Sequence, residues 1–247
     1  GSGRAPLELS AGWLLEQGIT EIEQQSPHSV TVPTAIDAWT QLNRDYGTKP
    51  LSDLLQPAIG YARDGFPISH RVAEDFAGCH DLLAGDADIA GVYLKNGEDY
   101  KHGDRCTNPN LAKTLEAVAT HGRDGFYKGW VADDLLGKLQ SLGGRHTQRD
   151  LDMALANYVT PIKSNFRSYD IWECPPNGQG VIALMPLNIM SGVDKFGDHP
   201  LSVDRIHHEI EAGRIAYRDR NLYLADPEFS DVPVDQMLSA DYAAAIR

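Results

Sequence analysis

The chain has 247 residues, 42% of them hydrophobic and 23% charged, enough to bury a core, and a single domain over 1–247 is expected. Its 35 acidic against 22 basic side chains give a formal net charge of -13 with no basic stripe, which excludes a phosphate backbone as partner. Cys79, Cys106 and Cys174 are scattered, odd in number and without metal-type spacing, and the longest apolar run, 181–190, is broken by Pro186 and Asn188 and too short to cross a bilayer. No metal, cofactor, nucleic acid or membrane is expected to bind.

In chain order, 29–32 before Pro33 reads as a strand. Ala35, Ala38, Trp39, Leu42 and Tyr46 then recur at three- and four-residue steps, with Pro33 suited to a first turn and Gly47 to the stop, so 34–46 is an amphipathic helix. A helix from Pro57 to Asp64 closes on Gly65, and Ser69 caps another carrying Val72, Phe76 and Leu82. A small hairpin within 91–101 turns on Asn96 and Gly97. Asn108 and Pro109 open a helix striped by Leu111, Leu115 and Val118 that runs to Gly122, and Val131, Leu135 and Leu139 mark one ended by Gly143 and Gly144. Thr147 with Asp150 resembles a capping box with Asp in place of Glu. A strand over 166–172 stops before Pro175 and Pro176, and a helix follows over 181–190. Ser202 then caps a stripe of Ile206, Ile210 and Tyr217 reaching about Arg220, and a short helix follows Ser239. This pattern supports a mixed α/β class with helices in the majority.

Residues that carry chemistry are sparse. Asn177, Gly178, Gln179 and Gly180 form a turn between strand and helix, where glycine lets a ligand approach the backbone and the helix start offers free N–H groups. The same four residues equally suit a tight turn needing positive φ. His207 and Glu211 stand one helical turn apart, but Ala212 follows His208 and Glu209 where a zincin would place its second His, so a polar helix face is the plainer reading. Asp219, Arg220, Asp226 and Pro227 admit either acid–base work or a structural ion pair beside a turn. No phosphate loop, nucleophile elbow or Cys/His pair is present, and no catalytic residue is assigned to this chain.

Several stretches together resemble one family. Residues 29–39, SVTVPTAIDAW, are similar to "VTVPGAVDAW", and Asn108 to Leu115 is similar to "NPxLAxTL". Gly125 to Gly129 matches "AFYxG", Asp150 and Leu151 match the end of "GGxxTxxDL", and Pro175 and Pro176 precede a turn like "PPPSSGG". Ala216 to Arg220 and Tyr223 to Pro227 resemble "AYADRxxYLGDP". In this order, over nearly the whole chain, the matches identify it as resembling the large subunit of the γ-glutamyltransferase family.

That resemblance implies an α/β (α+β) N-terminal-nucleophile (Ntn) hydrolase, an αββα sandwich completed by a separate small subunit cleaved from the same precursor. The small subunit's N-terminal Thr would attack an amide carbonyl with its own α-amino group as base, and backbone N–H groups would hold the oxyanion. The expected partners are therefore that small subunit, in a heterodimer or a dimer of heterodimers, and a small-molecule amide. Arg247 falls a little before the family's usual processing point, and the family's large subunits carry a further portion before the segment matching 1–6.

Two departures bear on substrate. Aligning Ala5 and Pro6 on "DxREmAP" puts Ser2 where an Arg grips the glutamyl α-carboxylate, and Ser cannot make that bidentate grip. Arg4, on the same side of an extended segment, is the substitute, so Ser2, Arg4, Asn177, Gly178, Gln179 and Gly180 are the candidate substrate-binding residues. The altered turn looks more like the oxamate amidohydrolase branch, cytoplasmic in type, which makes a small oxamate-like amide the first expectation for substrate. The alternatives are a γ-glutamyltransferase or glutathione hydrolase, in a periplasmic or secreted setting, and a non-catalytic homologue serving as a binding or assembly module.

Overall fold

The computed structural model describes residues 3–193 and 199–247, whose contacts gather into two units, Gly3–Ala156 and Asn157–Arg247. Both are helix-rich α+β, as the residue pattern implies.

The first unit contains α1 (Ala11–Glu16), a 3-10 turn (Pro27–Ser29), α2 (Ala35–Tyr46), α3 (Leu51–Asp64), β1 (Phe66–Pro67), α4 (His70–Gly78) and α5 (His80–Ala84). There follow α6 (Ala87–Tyr93), β2 (Arg105–Cys106), α7 (Pro109–His121), α8 (Asp124–Tyr127), α9 (Gly129–Ser141) and α10 (Gln148–Asp152). Leu55 and Ile59 of α3 pack with Leu115 and Val118 of α7, spacings of four and three that put each pair on one helix face. Ile36, Tyr127, Leu136 and Leu151 close the same cluster. A smaller one, Ile68, Tyr100 and Cys106, lies by the antiparallel β1–β2 ladder.

Local signals hold wherever a cap decides them. The Ser69 and Asn108 side chains accept from the Val72 and Leu111 N–H groups, and the Thr147–Asp150 capping box is formed. Other expectations fail for lack of partners. The strand over 29–32 is a 3-10 turn and extended chain, in which Val32 N–H donates to the Arg4 carbonyl and the Val30 carbonyl meets His146 Nε2, with no strand ladder among the described residues. In α2 the inward residues are Ile36 and Asp37, while Trp39, Leu42 and Tyr46 of the expected stripe face solvent. Helix α3 starts before Pro57, because burying Leu55 and Ile59 outweighs the one backbone bond that an interior proline forfeits. The hairpin over 91–101 shrinks to a single Lys95–Glu98 bridge around Asn96 and Gly97, whose φ of 57° and 85° suit the tight turn.

The second unit holds β3 (Ile162–Phe166), β4 (Tyr169–Glu173), α11 (Gly180–Ser191), α12 (Val203–Tyr223), α13 (Val234–Met237) and α14 (Ala240–Ile246). What reads as one strand over 166–172 is a hairpin: Phe166 pairs with Tyr169, and Arg167 and Ser168 turn between them at positive φ. Helix α11 buries Val181, Ile182, Leu184, Met185, Ile189 and Met190, too many for one face, as befits a helix wrapped on several sides. Helix α12 meets that cluster through Ala212 and Ala216, leaving Ile206, Ile210 and Tyr217 outward, the reverse of the expected stripe.

Candidate functional site

The Gly-rich turn joins β4 to α11 and draws its four residues together. Gly180 is dictated by closeness, since a Cβ there would lie 2.5 Å from the Cys174 carbonyl oxygen and 2.7 Å from the Glu173 Cβ. Gln179 Oε1 accepts from Arg220 Nη1 at 3.2 Å. The same guanidinium lies 4.6 Å over the Tyr217 ring and donates to Asn221 Oδ1, so α12 braces the turn. Asn177 and Gln179 are exposed, and the turn stands at the start of a twelve-residue helix, whose first N–H groups have no intrahelical acceptor. Chemically the turn offers carboxamides and backbone donors to a carbonyl or an anion, with no titrating group among its four residues.

Arg4 belongs to the first unit, and its guanidinium is engaged. Nη1 donates to Asp150 Oδ1 at 3.1 Å and to the Ala5 carbonyl, while Nη2 is buried with no partner among the described residues. Asp150 is fully buried and also receives the Leu7 N–H at 2.8 Å, the Thr147 N–H and the Thr147 hydroxyl. Burial pushes its pKa up, but the Leu7, Thr147 and Arg4 hydrogen bonds together outweigh that and hold it below the usual carboxylate range. Ser2 lies outside the described residues.

The other titrating groups resolve into structure. His207 and His208 are exposed on α12, Glu209 pairs with Arg205 and Glu211 with Arg214, and no three-ligand group occurs among the described residues. Asp219 pairs with Arg218, at 2.7 Å, and with the Tyr242 hydroxyl, whereas Arg220 goes to Gln179, so the ion pair expected at Arg220 forms one residue earlier. Asp226 makes the expected turn by accepting from Glu228 N–H.

The sequence profile of the gamma-glutamyltranspeptidase family matches residues 1–247. The chain belongs to that family. It is 34% identical to a glutathione hydrolase proenzyme of Pseudomonas sp. (strain A14), over 99% of this chain and 43% of that protein. Among solved structures it superposes on a cephalosporin acylase from Bacillus halodurans with a TM-score of 0.90 at 34% identity, covering all of this chain and 47% of the other. On the Helicobacter pylori gamma-glutamyltranspeptidase the TM-score is 0.89 at 30% identity, over 99% of this chain and 71% of that one. The chain thus spans less than half the length of the curated relatives it matches. Its fold is the helix-rich part of the Ntn hydrolase of this family.

The stretches that carry the gamma-glutamyltranspeptidase resemblance coincide with the buried polar ties of the fold. Asp37, in 29–39, is 3% exposed and receives Arg123 Nε and Gln41 Nε2, each at 2.8 Å, and the Ala156 N–H at 2.7 Å. Arg123 also donates to the carbonyls of Leu151, Asp152 and Ala154 and lies 4.5 Å over the ring of Tyr127, the aromatic of the 125–129 match. Asp150 and Asp219 fall in two further matches. Sequence reasoning missed the Asp37–Arg123 tie. Its one signal was an acid beside Ile36 on a helix whose other inward-looking residues were apolar.

Proposed function

We propose that the protein containing this chain is a self-processed γ-glutamyl amide hydrolase or transferase of the glutathione hydrolase type, with this chain as part of its large subunit. The match of the family profile to residues 1–247 carries the reading. A glutathione-type donor fits the named relatives, glutathione hydrolases of Pseudomonas and Escherichia coli among them, better than the oxamate-like amide first expected. On this reading the attacking group is the N-terminal Thr of a small subunit released from the same precursor, and an acyl-enzyme forms there. Outward Val203, Ile206, Ile210 and Tyr217, an apolar stripe on an otherwise charged helix, supply a surface for that partner.

A second reading, an acylase that does not require an α-carboxylate on its acyl group, is favoured by the commitment of Arg4 to Asp150 and by the likeness to the Bacillus halodurans acylase. Mature enzyme assayed with γ-glutamyl-, glutaryl- and 4-aminobutanoyl-p-nitroanilide, and with oxamate for ammonia release, separates these. Turnover of the γ-glutamyl anilide at least tenfold above the 4-aminobutanoyl one supports the first reading, since about 1.4 kcal/mol of carboxylate recognition then acts in the transition state. Equal turnover transfers the assignment to the acylase, and activity on oxamate alone overturns both.

A further inference from the structure

Besides the bond from Val32 N–H to the Arg4 carbonyl, the segment 4–30 is held to the rest of its unit by ties to six residues, 145–150. Arg4 and the Leu7 N–H bind Asp150, Glu8 pairs with Arg145 at 2.7 Å, and Arg145 lies 5.2 Å over the Trp13 ring. At the far end His146 Nε2 meets the Val30 carbonyl at 2.9 Å. A carbonyl only accepts, so Nε2 carries the proton, and in the neutral ring Nδ1 is a bare lone pair. His146 is 1% exposed, and its Nδ1 is buried without a partner among the described residues.

The charges around it pair off. Arg4 is matched by Asp150 and Arg145 by Glu8, while Gln140 of α9, which donates to the His146 carbonyl, is neutral. His28 of the 3-10 turn, edge-on to Trp13, is the other imidazole of the group, and its Nδ1 is likewise buried and unpartnered. A proton arriving at His146 Nδ1 therefore creates a buried charge and a donor with no acceptor among the described residues.

We propose that His146 is an acid-sensitive latch: neutral, it pins Val30 and closes the 9–30 stretch onto its unit; protonated, it releases that stretch, while Arg4, Leu7 and Glu8 stay tied to 145–150. Burial pushes the imidazole below its ordinary range, against the opposing pull of the Val30 carbonyl and of Asp150, with His28 adding to the depression. The sign follows. A group depressed in the closed state favours closure fully above about pH 6.5, its released value, and loses that contribution as pH falls toward its closed value. Asp150, depressed below the ordinary carboxylate range, stays ionised through this window, so its ties to Arg4 and Leu7 do not titrate with the latch.

Hydrogen exchange on the full protein tests this, with rates corrected for intrinsic pH dependence. Between about pH 7.5 and pH 5.5, protection of amides in 9–30 should fall roughly tenfold while amides of 4–8, α3 and α7 stay unchanged. His146→Gln, whose amide still donates to Val30 but cannot titrate, should flatten that response, and His28→Gln should leave most of it. Protection of 9–30 that ignores pH in the wild type overturns the proposal, as does a response that survives His146→Gln. Should that variant not fold, NMR titration of the wild-type His146 ring decides: a midpoint tracking the exchange transition supports the latch, and titration at the ordinary imidazole value sinks it.

Discussion

Asp37 in the first unit and Asp219 in the second are both buried carboxylates on helices, yet they are neutralised over very different reaches. Asp37 draws its cation from Arg123, 86 residues away, and the same guanidinium clamps three carbonyls at 151–154. Asp219 is served by its neighbour Arg218, whose side chain is 57% exposed, and by Tyr242 of α14. The first arrangement locks α2, the start of α8 and the chain after α10 into one body. The second ties α12 to α14 through a local cation that itself reaches water, although Asp219 is as buried as Asp37.

Three substitutions probe that contrast. Arg123→Ala strands Asp37 and three carbonyls, and urea denaturation should show a loss of about 3–5 kcal/mol. Tyr242→Phe removes one donor from Asp219 but leaves the adjacent Arg218 in place, so about 1–2 kcal/mol is expected by the same measurement. Equal losses in the two variants would erase the distinction between a carboxylate neutralised from across its unit and one neutralised by its neighbour. The smallest effect belongs to Ile210→Ala on α12: outward-facing, it should change the stability of this chain by no more than about 0.5 kcal/mol. A larger change would place Ile210 in the second unit's own core.

The two stripes read at helical spacing show what pattern alone can do. Leu115 and Val118 of α7 face inward as expected, because α3 supplies an apolar face opposite them. Ile206, Ile210 and Tyr217 of α12 have the same periodicity and face outward, since Ala212 and Ala216 let α12 lie close on α11 along its other side. Of the candidate binding residues, the turn at Asn177, Gly178, Gln179 and Gly180 was legible as a strand-to-helix junction. The commitment of Arg4 to Asp150 was not, since it spans 146 residues.

By itself the sequence determined the starts of α4, α7, α10, α12 and α14, because a cap needs only a side chain and backbone groups within about three residues of it. It also determined the family, through ordered stretches that prove to hold Asp37, Tyr127, Asp150 and Asp219. Only the tertiary structure decided which face of α2 and α12 is buried, that 29–32 has no strand partner among the described residues, and which cation each buried carboxylate receives. Those outcomes depend on what distant segments bring opposite, and local spacing carries no information about them.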